Sequence, residues 1–307
     1  MKTGVCCIGI DVGGTKIAAG VLSVPGGRAL AKRAVPTQPL RGGQAVLEDV
    51  LRLTRALASE AAGLEQSVGA IGLGVCELVD RQGRIASSHC LQWDGLPVCQ
   101  ALSEIAPALV EADVRAAGLA EALFGAGKPY GAFLYITAGT GISCCLMVEG
   151  RPFFGAEGMT GVMASSPIPL RCERCHHVNT RTLEDIASGP ALAARFEALR
   201  GQAGSGRRVL AAAIGGDAVA GRIVQEAGEA LGSQTGLLVN VLDPEAVILG
   251  GGLGSSVGPY WDHFAAATRR SIWSCKSRGL PVLQAATGAD AGWMGAAAQA
   301  WRQLLES

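Results

Sequence analysis

The sequence has no excess of either charge, few aromatic residues and no long apolar run. Its 26 basic and 26 acidic residues give a formal net charge of zero, which excludes the overall field that draws proteins to nucleic acid or anionic membranes. No apolar stretch reaches the roughly 18 residues needed to cross a bilayer, and residues 1–12 lack the zones of a signal peptide. We therefore expect a cytoplasmic protein with no membrane or nucleic-acid partner.

A disulfide framework is also missing. Several of the ten cysteines are direct neighbours, as in Cys6-Cys7 and Cys144-Cys145, so they indicate small apolar core residues with one candidate metal pair. With 49% hydrophobic and 17% charged residues, the chain has the composition of a well-packed globule and not of a disordered segment. The length of 307 residues predicts two α/β lobes.

A glycine turn follows the first predicted strand. Residues 8–10 and 17–22 form an apolar hairpin around Asp11-Val-Gly-Gly-Thr-Lys16. Glycines let a backbone approach a ligand closely, and successive N–H groups make a concave anion site. The turn has neither the Walker order Gly-x-x-x-x-Gly-Lys-Ser/Thr nor the Rossmann fingerprint Gly-x-Gly-x-x-Gly. Taken alone, it is also consistent with an ordinary hairpin turn.

The same design recurs further along the chain. A second hairpin encloses Gly139-Thr-Gly141, and a third glycine turn, Gly250-Gly-Gly252, ends a buried strand. The repetition predicts two related α/β lobes with a cleft between them. We place the lobes at residues 1–112 and 113–291, with a last helix over 292–307 that crosses back onto the first lobe.

Hydrophobic periodicity gives the remaining elements. It predicts helices over residues 44–62, from 113 to the glycine at 125, and over 183–199 and 217–241, strands over 29–36, 68–75, 108–111, 133–137, 142–148 and 246–249, and an irregular loop over 155–179. The pair Arg207-Arg208 falls in a predicted solvated loop.

Several longer motifs accompany the three turns. They are Val110-Glu-Ala-Asp113, Gly155-Ala-x-Gly158-x-x-Gly161, Leu183-Glu-x-x-Ala-Ser-Gly189, the run 240–252 and Asp290-Ala-Gly-x-x-Gly-Ala-Ala297. In this order and spacing they resemble the sugar kinase/Hsp70/actin ATPase superfamily, and within it the ROK family (repressor, open reading frame, kinase), over nearly the whole chain. The resemblance implies a two-lobed α/β, ribonuclease H-like fold with a central cleft. Because the first turn lies so near residue 1, we expect the stand-alone kinase form and not a DNA-binding repressor.

The resemblance also implies the chemistry. It implies ATP- and Mg²⁺-dependent transfer of the γ-phosphoryl group to a hydroxyl of a hexose-like sugar, which we expect to be a primary hydroxyl. Asp11 would hold Mg²⁺ through water, and Asp113 would be the general base. The residues implied to bind ATP are Gly13, Gly14, Thr15 and Lys16, then Gly139, Thr140 and Gly141, then Gly250, Gly251 and Gly252. The family further implies a homo-oligomer, either a dimer or a tetramer.

Two of the acidic residues keep alternative interpretations. An Asp directly before an Ala/Leu helix is a common N-cap, so Asp113 also fits a cap. Glu184 matches the family's sugar-binding glutamate, but it also fits a first-turn acid favoured by the helix dipole. Neither alternative excludes a role at the site.

The departures from the family pattern gather on the sugar side. Ala112 and Cys90 stand where the family has Asn, Cys76-Glu77 where it has Pro-Gly, and Val162 and Ser165 where Glu-x-Gly-His has Glu and His. Losing the partner of a buried sugar hydroxyl costs roughly 1–3 kcal/mol, so we expect an acceptor other than glucose. Glu77 and Gln92 would then favour an amino-sugar or a cyclitol, although Glu77 also fits a solvated loop acid. The competing hypothesis is an inactive sugar- or nucleotide-binding sensor.

The zinc segment of the family is altered as well. The chain has Cys172-Glu-Arg-Cys175-His-His177, with Thr182 at the position of the last family cysteine. Cys172, Cys175 and His177 are candidate ligands of a tetrahedral zinc site, but a fourth ligand is not obvious. A remnant loop without metal is the alternative.

Overall fold

The computed structural model describes residues 4–165, 167–171, 175, 178–201 and 204–306. They form twelve strands, ten α-helices and three short 3-10 helices. The strands are β1 (Gly4–Val12), β2 (Lys16–Ser23), β3 (Arg28–Pro36), β4 (Gln66–Val75), β5 (Ala108–Ala112), β6 (Ala132–Ala138), β7 (Ile142–Val148), β8 (Arg151–Pro152), β9 (Ile168–Arg171), β10 (Val178–Arg181), β11 (Ala246–Gly250) and β12 (Val282–Gln284).

The α-helices lie between groups of these strands and after the last one. They are α1 (Gly43–Gly63), α2 (Val98–Ser103), α3 (Asp113–Phe124), α4 (Glu184–Ala187), α5 (Gly189–Arg200), α6 (Gly206–Ile214), α7 (Ala218–Leu242), α8 (Gly251–Gly254), α9 (Pro259–Ser271) and α10 (Ala291–Glu306). None of the helices in the described part of the chain is both long and apolar enough to cross a membrane.

The chain divides into two compact units, as its length predicts. Unit 1 comprises Met1–Pro129, Met147–Thr160 and Ala289–Ser307, and unit 2 comprises Tyr130–Leu146 and Gly161–Gly288. The first division falls at Pro129 and not near residue 112, because α3 packs against α10 and the strands of unit 1. A strand such as β5 and the helix that follows it bury a shared apolar surface, so the boundary comes after both.

Unit 1 is built on a five-stranded mixed sheet of order β3-β2-β1-β4-β5. Strand β1 pairs antiparallel with β2 and parallel with β4, and β4 pairs parallel with β5. Parallel pairing brings the carboxyl ends of β1, β4 and β5 to one edge of the sheet. This edge is the usual ligand-binding edge of an α/β sheet.

Glycines on one face of this sheet make room for α10. A Cβ on Gly9 of β1 or on Gly72 of β4 would overlap the backbone of α10 at Trp293 or Ala296. Successive strand residues point to opposite faces, and the neighbours of these glycines, such as Ile71, lie in the core cluster that also contains the apolar residues of α1. The alternation of apolar residues and glycine along β4 therefore fixes which helix covers each face.

Unit 2 contains the pair α7 and α9, which pack closely along a stripe of glycines. A Cβ on Gly228 would lie 2.7 Å from the Tyr260 carbonyl oxygen, and a Cβ on Gly232 would lie even closer to the Phe264 carbonyl oxygen. The second five-stranded sheet has the order β12-β11-β6-β7-β8. Strand β6 pairs parallel with β11, and β11 pairs parallel with β12.

Three local predictions are wrong. The helix predicted over 183–199 is split into α4 and α5, because Ser188 is extended and caps α5 by accepting from the Ala191 N–H (3.3 Å), while Pro190 cannot continue the preceding helix. The loop predicted over 155–179 contains the start of the antiparallel hairpin β9–β10. The loop predicted at Arg207-Arg208 is the first turn of α6, which Ser205 caps.

The close approach of α10 to the sheet can be tested at Gly72. We expect Gly72→Ala to lower the melting temperature by many degrees, since its Cβ meets backbone that cannot move aside. The matched control is Gly221→Ala in α7, where a Cβ has nothing within 4 Å, and a gain of about 0.5–1 kcal/mol is expected from helix propensity. Equal melting temperatures for Gly72→Ala and the wild type, measured by calorimetry, would contradict this packing.

Candidate active site

The first glycine turn, between β1 and β2, is fixed by a residue that follows β3. The turn closes with the Gly13 N–H donating to the Lys16 carbonyl (3.0 Å). Thr37 donates from its backbone N–H to the Thr15 carbonyl (3.1 Å) and from its hydroxyl to the Gly13 carbonyl (2.6 Å). Thr37 is fully buried. Two carbonyls of the turn are therefore held by protein, which sets the conformation of the predicted phosphate-binding segment.

Two predicted acidic residues meet at the carboxyl ends of the parallel strands. Asp11, near the end of β1, pairs in register with Gly74 of β4. Asp113 begins α3 directly after β5, and a Cβ on Gly74 would lie 3.6 Å from the Asp113 Cα. Gly292, in the first turn of α10, lies so close to the Asp11 carboxylate that a Cβ would overlap it. The structure thus brings Asp11, Asp113 and the first turn together.

The shared environment changes the acidity of both carboxyls. Burial raises the pKa of Asp11 to about 6, against the opposing effect of the Lys16 charge. Burial is the largest cause that raises the pKa of Asp113 to about 7, and the Asp11 carboxylate is the second. The Val114 N–H and the Arg115 charge oppose this rise. Perturbed carboxyl pairs of this kind are typical of functional sites.

Asp113 is not the N-cap of its helix. The N-cap position is Ala112, which makes no side-chain cap hydrogen bond, and Asp113 is the first helical residue. Its Oδ1 accepts from the Val114 N–H (2.6 Å). The alternative interpretation of this residue as an ordinary N-cap is therefore wrong.

A buried arginine beside Asp113 holds the surrounding segments. Arg115 donates to Glu111 Oε1 (2.6 Å), to the Gly158 carbonyl (2.6 Å) and to the Val79 carbonyl (2.7 Å). Its guanidinium also lies 4.8 Å from the centroid of the Phe154 ring. A buried charge is tolerated only when it is paired and hydrogen-bonded. Arg115 therefore fixes the start of α3, and with it the position of Asp113.

Glu77 has a different environment from the one predicted for it. Only 5% of the residue is exposed. Its Oε1 accepts from the backbone N–H groups of Cys90 (2.6 Å) and Leu91 (2.9 Å), and its Oε2 from the His89 N–H (2.9 Å) and the Ser87 hydroxyl. The carboxylate is thus occupied by the loop 87–91. It is neither a solvated loop acid nor free to pair with an amino group of a substrate.

The residues predicted for the other ATP contacts lie in unit 2, where two glycine turns meet. Gly139 follows β6 and bonds across its own turn to the Gly141 carbonyl (3.0 Å). A Cβ on Gly139 would lie 3.5 Å from the Gly252 nitrogen. Gly251 has φ +82°, and a Cβ there would meet the Ala138 backbone. Glycine at 251 is therefore required both by its conformation and by its contact with the end of β6.

Helix α5 begins at the second turn. The Gly189 N–H, in its first turn, donates to the Gly139 carbonyl (2.8 Å). The positive end of a helix dipole favours anions, so this end of α5 suits a phosphate near Thr140.

Glu184 also contacts the second turn. Its Oε2 accepts from the Ile142 N–H (2.9 Å), so it is more than a first-turn acid of α4. Thr140, Glu184, Ser188 and Arg195 are among the residues that line a groove of about 640 Å³ in unit 2. Val162 and Ser165, which replace the family's Glu and His, are both exposed. These two positions offer an apolar side chain and a short hydroxyl in place of two sugar ligands.

Two of the predicted zinc ligands, Cys172 and His177, lie outside the described residues. The third, Cys175, is exposed and not in a disulfide. Among the residues that the structure describes, no group of three or more His, Cys, Asp and Glu side chains is arranged to hold a metal.

Comparison with known proteins finds relatives along nearly the whole chain. The ROK family model matches residues 7–303. A glucokinase of Halalkalibacterium halodurans is 28% identical, over 94% of this chain and 92% of that protein. An N-acetylmannosamine kinase of Yersinia pseudotuberculosis is 26% identical, over 94% of this chain and 96% of that protein.

A solved structure extends the likeness to the fold. The crystal structure of a ROK family glucokinase from Streptomyces griseus in complex with glucose and AMPPNP matches with a TM-score of 0.82 at 27% identity, covering 97% of this chain and 99% of that one. The predicted α/β actin-like ATPase fold class is thereby confirmed.

The loop-holding role of Glu77 predicts a pH-dependent effect on stability. Burial raises the pKa of Glu77, but the Ser87 hydroxyl and the three backbone N–H groups outweigh it and hold the pKa below its ordinary value. The stabilisation is therefore present above the unfolded-state pKa and is lost as the pH falls through the folded-state pKa. We expect Glu77→Gln to lower stability by about 1–3 kcal/mol at pH 7, and the difference from wild type to shrink towards pH 4.

Calorimetry at both pH values tests this expectation. The control is Glu104→Gln, at an exposed position, which should leave the melting temperature unchanged. An unchanged melting temperature for Glu77→Gln at pH 7 would contradict the role given to its hydrogen bonds.

Proposed function

The chain belongs to the ROK family, and from this premise we propose that it is an ATP-dependent carbohydrate kinase with Asp113 as its general base. The observation that carries the proposal is the placement of Asp113 beside Asp11 and the first glycine turn, where burial and the Asp11 charge raise its pKa to about 7. A general base works best when its pKa lies near the operating pH, because much of it is then deprotonated and it still binds a proton well. The named relatives, a glucokinase and an N-acetylmannosamine kinase, support the same reaction class.

In this proposal each group of unit 1 has one task. Asp113 accepts the proton of the acceptor hydroxyl as that oxygen attacks the γ-phosphorus. Asp11 supplies hard carboxylate oxygens of the kind that suits a hydrated Mg²⁺, which neutralises charge on the phosphates when bound. Gly13, Gly14, Thr15 and Lys16 offer backbone N–H groups, a hydroxyl and a charge to the phosphates. Thr37 and Arg115 are positioning residues for the turn and for α3.

The remaining residues predicted to bind the nucleotide lie in unit 2. Gly139, Thr140 and Gly141 would contact the transferred phosphoryl group, with the positive end of α5 adding electrostatic stabilisation. Gly250, Gly251 and Gly252 would let the adenosine approach the backbone. Glu184, which touches the same turn, would accept hydrogen bonds from hydroxyls of the acceptor. Catalysis in this arrangement rests on positioning and charge, as expected for phosphoryl transfer.

The acceptor is a hexose-class sugar in this proposal, with a primary hydroxyl as the expected attacking group. Ala112, Val162 and Ser165 remove polar partners that typical family members direct at sugar hydroxyls, so an acceptor with fewer or differently placed hydroxyls is favoured over glucose. Glu77 was predicted to pair with a free amino group of the acceptor, but its carboxylate accepts hydrogen bonds from the loop 87–91 instead. An N-acylated amino-sugar, in which the nitrogen carries no charge, fits these changes better. A sensor that only binds its ligand needs no general base, so the sensor hypothesis is not favoured.

Zinc binding and a homo-oligomeric state, dimer or tetramer, stay predictions. Cys175 lies between β9 and β10, and its proposed co-ligands are Cys172 and His177. Metal analysis of the purified chain, with Cys175→Ser as the control, and light scattering address the two points separately.

Turnover of ATP against a panel of acceptors tests the function. We expect γ-phosphoryl transfer to at least one sugar among glucose, mannose, N-acetylmannosamine, N-acetylglucosamine, free amino-sugars and cyclitols. Asp113→Asn should lower kcat by at least about 100-fold, because the general base is removed, with a smaller change in ATP affinity. For the wild type, kcat/KM should rise about tenfold per pH unit below pH 7 and level off above it.

Two results would contradict the proposal. Transfer that survives Asp113→Asn unchanged would remove Asp113 as the base. Absence of transfer to every acceptor by a folded, ATP-binding chain would favour the sensor.

A further inference from the structure

Two thiols lie beside the first glycine turn and have no task in the proposed reaction. Cys76 follows β4, and its N–H donates to the Val12 carbonyl (3.2 Å). Cys90 lies in the loop that Glu77 holds, and its N–H donates to Glu77 Oε1 (2.6 Å). Each thiol is the largest cause of the pKa shift of the other, so the two side chains lie within interaction distance. Residues that are fourteen positions apart are thus anchored by their backbones with their side chains close together.

The pair touches the proposed phosphate-binding turn. A Cβ on Gly14 would lie 3.0 Å from the Cys90 sulfur, so that atom packs directly against the turn. Cys76 interacts electrostatically with the carboxylate of Asp113. A change in the bonding of either sulfur therefore acts at the place where the turn and the proposed base meet.

Accessibility distinguishes this pair from the cysteines of the two cores. Cys76 and Cys90 are both half-buried, whereas Cys6, Cys7, Cys144 and Cys145 are buried. The hydrogen bond from the Cys76 thiol holds the pKa of Cys90 below its usual range, which favours the nucleophilic thiolate. The same contact, together with burial, raises the pKa of Cys76.

We propose that Cys76 and Cys90 form a thiol–disulfide exchange site, which a small disulfide such as oxidised glutathione converts into an intramolecular disulfide. The Cys90 thiolate attacks one sulfur of the added disulfide, forms a mixed disulfide and releases one thiolate. Cys76 then attacks the Cys90 sulfur, loses its proton to solvent and releases the second thiol. The protein loses two electrons in total, and the added disulfide is reduced to two thiols.

The new bond changes the turn. A disulfide of about 2.05 Å is shorter than any hydrogen-bonded contact between two thiols, so the sulfurs must approach each other. Since Cys90 packs on Gly14 and its loop is held by Glu77, this movement alters the contact that supports the first turn. Oxidation therefore weakens ATP binding, and a thiol reductant restores it. The effect on ATP rests on the proposed function, whereas formation of the disulfide does not.

Tryptic peptides give the direct test, because cleavage at Arg81 and Arg84 separates the two cysteines. Cys76 is the only cysteine of peptide 56–81, while peptide 85–115 carries Cys90 and Cys99. The full chain in the Cys99→Ser background is treated with oxidised glutathione, alkylated and digested. We expect the two peptides to appear as one linked species, which reductant separates and which Cys90→Ser abolishes. The matched control Cys275→Ser removes an exposed thiol and should leave the link unchanged.

The results distinguish failure of the exchange site from failure of the proposed kinase function. Recovery of Cys76 and Cys90 as free, alkylated thiols while Cys275 carries glutathione would overturn the exchange site, whatever the enzyme activity. A linked species with unchanged ATP affinity, measured by calorimetry, would overturn the blocking effect. At least a fivefold loss of affinity that reductant reverses, absent in Cys90→Ser, is the result we expect.

Discussion

The candidate site depends on two partly buried carboxylates that are held close together. Asp11 and Asp113 lie at the carboxyl ends of β1 and β5, the two strands on either side of β4, and each has a raised pKa, mainly because of burial. Such an arrangement is unfavourable for the folded chain above neutral pH, since both groups are then charged. The surrounding backbone holds the two carboxylates in place. Glycines of the sheet let α10 pack closely against it, and the hydrogen bonds of Arg115 fix the first turn of α3. Asp11 would hold a divalent cation, whose charge would weaken the repulsion between the two carboxylates.

Much of the fold and of this site could be predicted from the sequence, because the signals are local. A glycine turn between two apolar runs indicates a hairpin. The apolar pattern of the preceding strand shows where that strand ends and the turn begins. Asp113 is singled out by the resemblance to the ROK family, since the junction of a short strand and an Ala-rich helix alone also fits an N-cap. The order and spacing of the three turns, each directly after a buried strand, carry the same resemblance. These features need no knowledge of distant residues.

The contacts that position the site are long-range, and the sequence does not show them. Thr37 reaches the first turn only because β3 pairs with β2 in one register. Arg115 is a plausible surface residue in a helical pattern until its partners at Val79 and Gly158 are known. A carboxylate at the position of Glu77 suggests an exposed substrate ligand, whereas its partners in the structure are the Ser87 hydroxyl and three backbone N–H groups of a later loop. The split between α4 and α5 could have been predicted from Ser188 and Pro190, which form a standard helix start.

We propose that the Asp11 charge and the burial of Asp113 together prepare Asp113 as a base. The most direct test is the titration of the Asp113 carboxyl by carbon-13 NMR in the free protein, in the wild type and in Asp11→Asn. We expect a pKa near 7 in the wild type and a lower value in Asp11→Asn, because one of the two causes of the shift is removed. An ordinary carboxyl pKa in the wild type, or the same value in both proteins, would contradict it.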